Sequence, residues 1–298
     1  MMLRMLKHAI TFLGVALIIT DPACAADPDW KAVEQALGHP GQLQGGDVFR
    51  VGMPRTDLTV TVKGVPVKAS FALGSYAAFK QTGTDVMVMG DLVLLDQEIP
   101  AVMSGLFGGG LAVTAVHNHL NEMSPHVMYM HYAGHGDAIQ LARALRQALS
   151  ASATPFAAGP PSAAAPGPAL DSKQLEQALG RAGRDIGSGV FQITVPRAEA
   201  ITEMGYPLLP AMGVTTVMNF QPTASGKVAI TGDFVLIDQE VNLVAQTLRQ
   251  NGIDVTAIHN HGLVDMPRLF YMHFWATDDP AKLARGLKAA LDKTNSQK

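Results

Sequence analysis

The chain contains two copies of one sequence pattern, separated by a constant 142 residues. The clearest matches are residues 34–38 with 176–180, 90–98 with 232–240, 113–119 with 255–261, and 129–131 with 271–273. Because one offset aligns matches along most of the chain, the pattern indicates a tandem duplication rather than chance similarity. The fold of the first copy should therefore be the fold of the second.

A compositional break separates the copies. Residues 150–169 are almost entirely Ala, Pro, Ser and Gly, which cannot bury an apolar core and are typical of a linker. We therefore predict two homologous domains over residues 27–149 and 170–298. Each has a length at which one apolar core can hold a fold.

The N-terminal residues 1–26 have the pattern of an export signal. Arg4 and Lys7 precede an apolar run, and small residues around Cys24 offer a cleavage site. The run is too short to cross a bilayer as a helix, so we expect an exported, periplasmic or secreted chain that begins near Ala26 and has no transmembrane segment. Asp21 and Pro22 argue against a lipid anchor at Cys24. Cleavage would remove the chain's single cysteine and leave His, carboxylate or Met as metal ligands.

The order of elements within a copy can be predicted from hydrophobic period and turn residues. A short helix and several β-rich segments come first, up to Leu95. A helical pattern over Gln97–Phe107 follows, then two strands of a hairpin, Leu111–His119 and Val127–Tyr132, and a closing helix over Asp137–Leu149. We predict an α+β fold in which each domain has a β-α-β-β-α core, with an antiparallel sheet and helices packed on one face.

Charge and motifs exclude several classes of function. The net charge is −3 and no basic block is present, so nucleic acid is not an expected partner. No Gly-rich phosphate loop, nucleophile elbow or Ser-His-Asp order occurs, and we expect no nucleotide cofactor. An unidentified small molecule or a cell-envelope component remains as the expected partner.

Histidines are concentrated in the two predicted hairpins. His117 and His119 are two residues apart on a strand, so their side chains should leave the same face, and an even-sum hairpin register would place His131 on that face too. The same arithmetic in the second copy gives His259, His261 and His273. We therefore predict three converging histidines in each copy, and a site in both copies or in the second alone.

Three imidazoles with open positions suit a divalent transition metal, with zinc the first expectation and copper or manganese as alternatives. A carboxylate could complete the site as a ligand or a catalytic base. Glu98 and Glu240 occupy equivalent places at the start of a helix, and Asp265 lies in the second hairpin loop. These acids are the candidate catalytic residues, with metal-bound water as the nucleophile of a hydrolase-type reaction.

Other interpretations of the same residues stay open. The histidines could be structural strand residues, or an unliganded cluster that acts as a general base. Glu98 and Glu240 could be first-turn acids favoured by the helix dipole. Arg55 and Arg197 are expected in solvated loops. Methionines near the histidines would favour a copper carrier only if their sulfurs share the histidine face.

The segments "VMVMGDLVLLDQEI" and "TAVHNHLNEMSPHVMYMHYAGHGD", with their partners "ITGDFVLIDQEVN" and "VTAIHNHGLVDMPRLFYMHFWA", carry a family resemblance. The chain resembles the bacterial LppY/LpqO-like family of exported proteins and lipoproteins, which are built from a domain of unknown function. The family pattern has an acid two residues before a loop proline and an arginine just after it. Asp265 and Arg268 match this pattern.

Copy one departs from the family pattern, since Met123 and His126 stand at those two places. We therefore expect copy two to be the better site, with Arg268 as a possible substrate anchor. The leading interpretation is an exported metal-binding protein, with hydrolase-type activity as an extension. The alternative is a non-catalytic cell-envelope module that binds glycan, lipid or protein and has structural histidines.

Overall fold

A computed structural model describes residues 27–156 and 170–298. The predicted export signal, Cys24 and residues 157–169 of the predicted linker lie outside the described residues. None of the helices in the described ranges is long and apolar enough to cross a membrane.

Copy one contains four α-helices and nine strands. The helices are α1 (Trp30–Leu37), α2 (Ala69–Ala72), α3 (Ile99–Gly108) and α4 (Ala138–Leu149). The strands are β1 (Gly41–Gln44), β2 (Val48–Pro54), β3 (Val60–Val62), β4 (Val65–Val67), β5 (Gly74–Thr82), β6 (Asp85–Leu95), β7 (Ala112–His117), β8 (Met123–Ser124) and β9 (Val127–Gly136). A short 3-10 helix, Asp96–Glu98, leads into α3.

Copy two repeats this order, with a 3-10 turn at Pro210–Met212 in place of α2. Its helices are α5 (Ser172–Leu179), α6 (Asp238–Gln250) and α7 (Pro280–Leu291). Its strands are β10 (Gly183–Asp185), β11 (Phe191–Pro196), β12 (Ile201–Glu203), β13 (Tyr206–Leu208), β14 (Thr215–Pro222), β15 (Val228–Leu236), β16 (Asp254–His259), β17 (Asp265–Met266) and β18 (Phe270–Asp278).

Each copy forms one six-stranded antiparallel sheet and one small three-stranded sheet. The large sheets have the orders β1-β2-β5-β6-β9-β7 and β10-β11-β14-β15-β18-β16, and the small ones have the orders β4-β3-β8 and β13-β12-β17. The β-α-β-β-α core predicted from sequence is confirmed as β6-α3-β7-β9-α4. The edge strand β1 and the central strand β5 were not predicted, because adjacent alanines and polar residues obscure the alternation in β5.

The helices pack on one face of each large sheet, as predicted. Along β6 the residues Val86, Val88 and Leu92 face α3 and α4 in one apolar core. The intervening residues Met87 and Met89 point to the opposite face, since successive strand residues alternate. This second face is the one that meets the other copy.

The two large sheets pack against each other through these second faces. Met87 and Met89 of copy one share an apolar cluster with Val235 and Tyr271 of copy two. The chain therefore has four layers, with helices outside and two sheets inside. Hydrogen bonds join the sheets as well, including a matched pair from Asn118 Nδ2 to the Thr256 carbonyl (3.2 Å) and from Asn260 Nδ2 to the Thr114 carbonyl (3.0 Å).

The constant offset of the duplication does not hold over residues 60–82. The turn of positive-φ residues Lys63 and Gly64 in copy one matches Met204 and Gly205 in copy two, 141 residues later. Strand β14 is shifted by one residue accordingly, because Val217 lies opposite Asp233 whereas Tyr76 lies opposite Asp91. A longer hairpin turn at 223–227 restores the offset of 142. Val217, and not Met218, is therefore the structural counterpart of Tyr76.

Arg55 and Arg197 are not solvated loop residues, which corrects the expectation from sequence. Arg55 has no exposed surface and donates to Glu98 (2.7 and 3.2 Å) and to the Val93 carbonyl (2.9 Å). Arg197 makes the same contacts with Glu240 and Val235. The physical reason is that a guanidinium group can donate two hydrogen bonds to one buried carboxylate. The arginine thereby holds the loop after β2 against the residues that follow β6, and the loop after β11 against the start of α6.

The segment that follows the last helix of each copy binds to the same glutamates. The Ala153 amide donates to Glu98 (2.8 Å), and the Asn295 amide donates to Glu240 (2.7 Å). Residues 150–156 of the predicted linker are therefore packed on copy one in the same way that the C-terminal residues are packed on copy two.

We predict that Arg197→Met lowers the free energy of unfolding by about 3–5 kcal/mol, because it leaves Glu240 buried without its partner charge. Urea unfolding followed by circular dichroism measures this change. The matched control is Arg249→Met, which breaks the exposed pair with Asp254 and should change stability by no more than about 0.5–1 kcal/mol. Equal effects of the two substitutions would contradict the structural role of Arg197.

Candidate metal centre between the two sheets

Six histidines meet where the inner faces of the two sheets approach each other. The hairpin register confirms the even-sum pairing, since His117 lies opposite Tyr129 and Ala115 lies opposite His131. In copy two His259 lies opposite Tyr271. His119 and His261 lie two residues beyond the last residues of β7 and β16. The six residues are His117, His119, His131, His259, His261 and His273, and we call them the histidine cluster.

The cluster is shared between the copies, which corrects the expectation of one three-histidine site in each copy. The closest contacts between two histidine rings all cross from one copy to the other, with centroid separations of 3.4 Å for His117–His259, 3.7 Å for His119–His273 and 3.8 Å for His131–His261. The reason is the face-to-face packing of the sheets. The face that carries the histidines is also the face that covers the other copy.

Backbone carbonyls fix the orientation of four of these rings. His131 Nδ1 contacts the Gly90 carbonyl at 3.2 Å, and His273 Nδ1 contacts the Gly232 carbonyl at 2.9 Å. His117 and His259 bind the carbonyls of Asn118 and Asn260, each at 3.0 Å. A carbonyl only accepts, so Nδ1 carries the hydrogen and Nε2 keeps its lone pair. Metal-binding histidines are commonly held in this way.

Seven of the other ring nitrogens are buried and unsatisfied. Among the described residues, Nε2 of all six cluster histidines and Nδ1 of His261 have no hydrogen-bond partner. An unpaired buried polar atom costs about 1–3 kcal/mol, so six Nε2 atoms in one place require an explanation. Metal ions bound by groups of these histidines would satisfy the Nε2 atoms.

Three groups of side chains have the spacing of a metal site, because one potential ligand atom from each member lies within 4.8 Å of those of the other members. They are His117, His119, His259 and His273; His131, His259 and His261; and Asp91, His119 and His131. The first two groups draw on both copies. His259, His261 and His273, the set predicted for copy two, do not form a group by themselves.

Asp91 was not predicted as a site residue. It lies opposite His131 in the sheet, and its carboxylate oxygens lie 3.5 Å from His119 Nε2 and 4.0 Å from His131 Nε2. Asp233 holds the equivalent position in copy two, opposite His273. The signal was present in the sequence, because an acid interrupts an otherwise apolar strand at the same place in both copies.

The acids predicted from sequence lie elsewhere. Glu98 and Glu240 are held by the buried arginines described above and belong to none of the three groups. Asp265 accepts hydrogen bonds from the Leu269 amide and from Arg268 Nη1 (3.0 Å). Arg268 also donates to the Leu263 carbonyl (3.0 Å). Asp265 and Arg268 therefore brace the hairpin loop of copy two and are not among the groups with metal-site spacing.

Burial keeps the cluster histidines neutral. It lowers the pKa of His117 to about 4 and that of His259 to about 3. It also lowers the pKa values of the other four well below the usual range, with repulsion between the rings as a second cause for each. Neutral imidazole is the form that binds metal. Burial has the opposite effect on the acids, since it raises the pKa of Asp233 to about 7 and that of Asp91 well above its usual range.

A cavity of about 270 Å³ adjoins the cluster between the sheets. His119, His131, His261 and His273 form one part of its wall. Further wall residues include Arg50, Tyr76, Asp91, Asp233 and Thr231. A ligand in this cavity would reach the cluster and both aspartates. The fold and site thus define an α+β tandem-repeat protein with a histidine-lined cavity between its repeats.

Both copies match one protein family, described as Domain of Unknown Function (DUF1259), over residues 31–151 and 173–293. The chain therefore belongs to this family. A search of the curated proteins finds no match.

Two solved structures show a distant likeness. One is the trimeric bacterial microcompartment shell protein PduB, with 12% identity, coverage of 87% of this chain and 91% of that chain, and a TM-score of 0.22. The other is EtuB from Clostridium kluyveri, with 12% identity, coverage of 86% and 91%, and a TM-score of 0.21.

We predict that the metal-free protein loses stability as the pH falls from 7.5 to 5. The cluster histidines have lowered pKa values when folded and regain values near 6.5 when unfolded, so unfolding takes up protons below pH 6.5. Asp91 and Asp233 act in the opposite direction, but six groups outweigh two. Thermal unfolding in EDTA should show a midpoint lower by several degrees at pH 5.

The control for this experiment is His126→Gln, which removes an exposed histidine outside the cluster and should leave the pH dependence unchanged. A midpoint that stays constant or rises between pH 7.5 and 5 would contradict the burial of neutral histidines.

Proposed function

We propose that this protein binds divalent transition metal ions, zinc first, in the histidine cluster between its two copies. The observation that carries the proposal is the set of six buried Nε2 atoms without hydrogen-bond partners, on histidines that fall into groups with the spacing of a metal site. Histidine nitrogens bind zinc at about 2.0–2.1 Å, which puts two ligands of one ion roughly 3.3 Å apart. Small side-chain rotations would bring groups spaced within 4.8 Å to that geometry.

The six histidines divide into two equivalent sets of three. His117 and His119 of copy one combine with His273 of copy two, and His259 and His261 of copy two combine with His131 of copy one. Each set takes its residues from the groups described above, and the 142-residue offset converts one set into the other. We therefore propose two ions for each chain, each held by both copies.

Three histidines leave a coordination position open, as in catalytic zinc sites. A zinc ion held by three histidines would lower the pKa of a water molecule bound at the open position and would supply a nucleophile near neutral pH. The cavity gives a substrate access to the cluster, and Asp91, which lies against two of the proposed ligands and has a raised pKa, is placed to exchange a proton there. These features support hydrolase-type activity. Asp91 takes the role that the sequence suggested for Glu98, Glu240 or Asp265.

The place of action follows from the N-terminal sequence. The basic and apolar residues before Ala26 support export to the periplasm or the outside of the cell, in line with the LppY/LpqO-like resemblance. Mass spectrometry of the secreted chain tests this part separately, because a start near Ala26 and a lipid on Cys24 give different masses.

Metal analysis of the full chain, purified without chelators and without a histidine tag, tests the metal proposal. We expect two zinc ions for each wild-type chain. His273→Ala and His131→Ala each remove one ligand of one set and should each leave one ion. Together they should leave none. The control variants His126→Ala and His135→Ala lie outside the cluster and should keep two.

Wild-type protein without metal, even after incubation with zinc, would overturn the proposal. A single ion that is lost with either His273→Ala or His131→Ala would overturn the division into two sets.

A second candidate is the non-catalytic envelope module. It is favoured by an exposed apolar patch on the small sheet of copy two, where Met204 is 70% and Met266 is 66% exposed and Leu263 and Val264 are adjacent. The corresponding residues of copy one are polar: Lys63, Ser124, Asn121 and Glu122. This candidate needs no metal, so the same metal analysis separates it from the first.

A further inference from the structure

The cavity beside the histidine cluster has the size of a small-molecule site. Its volume of about 270 Å³ equals that of about nine water molecules at roughly 30 Å³ each, and lies below the usual range for drug-sized ligands. Two sheets and helix α2 form its walls. This size suits a metabolite of a few carbon atoms.

Three pairs of identical residues from the two copies lie on the wall. Asp91 is matched by Asp233, and His119 and His131 are matched by His261 and His273. Arg50 differs from its counterpart Gln192, and Tyr76 differs from its structural counterpart Val217. The cavity therefore has one cationic end, on copy one.

Arg50 is the cationic residue of this cavity wall, and contacts with the protein hold its guanidinium group in a fixed orientation. Its Nη1 donates to the Ala211 carbonyl (2.7 Å), and its guanidinium carbon lies 3.6 Å from the centre of the Tyr76 ring. Among the described residues, no carboxylate oxygen lies within 4.0 Å of its nitrogens, whereas Arg55 and Arg197 are both paired with acids. Stacking and one hydrogen bond fix the guanidinium plane and leave its other donors available.

We propose that the cavity binds a small monocarboxylate, whose carboxylate pairs with Arg50 and whose second oxygen, such as an α-hydroxyl group, points toward the histidine cluster. A guanidinium group matches a carboxylate in geometry and charge. The wall supplies one guanidinium group, which balances one negative charge. A second charge on a ligand such as phosphate would face Asp91 and Asp233 instead of a cation. The contact of the second oxygen with a metal ion in the histidine cluster rests on the proposed function, but the contact of the carboxylate with Arg50 does not.

Calorimetric titration of the full chain with lactate, lactamide and phosphate tests the assignment. Lactamide has nearly the same shape as lactate and no charge. We expect lactate to bind at least about tenfold more tightly than lactamide or phosphate, in both metal-free and zinc-loaded protein. Arg50→Gln, which places the copy-two residue in copy one, should weaken lactate at least about tenfold. Arg249→Gln, an exposed arginine elsewhere, should leave it unchanged.

Zinc content separates this inference from the metal proposal. Arg50→Gln should keep two ions for each chain. If wild-type protein takes up no zinc on incubation but still binds lactate in a way that depends on Arg50, the cavity assignment is supported and the metal proposal is overturned. Equal binding of lactate and lactamide, or lactate binding that Arg50→Gln and Arg50→Lys both leave intact, would overturn the cavity assignment even if two zinc ions are present.

Discussion

Packing of two sheets through faces that carry polar side chains sets the conditions for the rest of the structure. The imidazoles in this contact are largely buried, so each is held neutral and needs partners for both nitrogens. For His131 and His273, the carbonyls of Gly90 and Gly232 satisfy one of the two nitrogens. Only glycine fits at these two positions, because an added Cβ would lie 2.1 Å from the backbone carbonyl oxygen of Tyr76 or 1.9 Å from that of Val217. The same two glycines therefore allow the close contact between strands and orient the histidines.

Local periodicity predicted much of the fold. Alternation along the hairpin strands correctly placed His117 and His131 on one face, and helical spacing located α3 and α4. Periodicity describes one face of one element, however, and does not say what covers that face. His273 lies against His119 of copy one, although the two residues are more than 140 positions apart in the sequence. No local sequence pattern contains such a contact.

Charged residues within apolar segments were the hardest to interpret. Arg55 follows a proline in a loop, which resembles a solvated position, and its partner Glu98 is 43 residues away. Glu98 also looks like an ordinary first-turn acid. Only the tertiary structure shows that each residue makes the burial of the other possible. Asp91 differs from these residues, because the sequence does carry a signal for it: an acid repeated in the middle of two apolar strands has few structural explanations.

The shared cluster has an evolutionary consequence. One copy alone carries only part of each proposed ligand set, so a single-repeat ancestor could have completed such sets only as a two-fold symmetric homodimer, with identical halves. Fusion of two genes removes the requirement for identity, because each half can then change without changing the other. The pair Arg50 and Gln192 shows such a difference: a symmetric dimer would place the same residue at both ends of one cavity, whereas the fused chain has one arginine and thereby gives its cavity a direction.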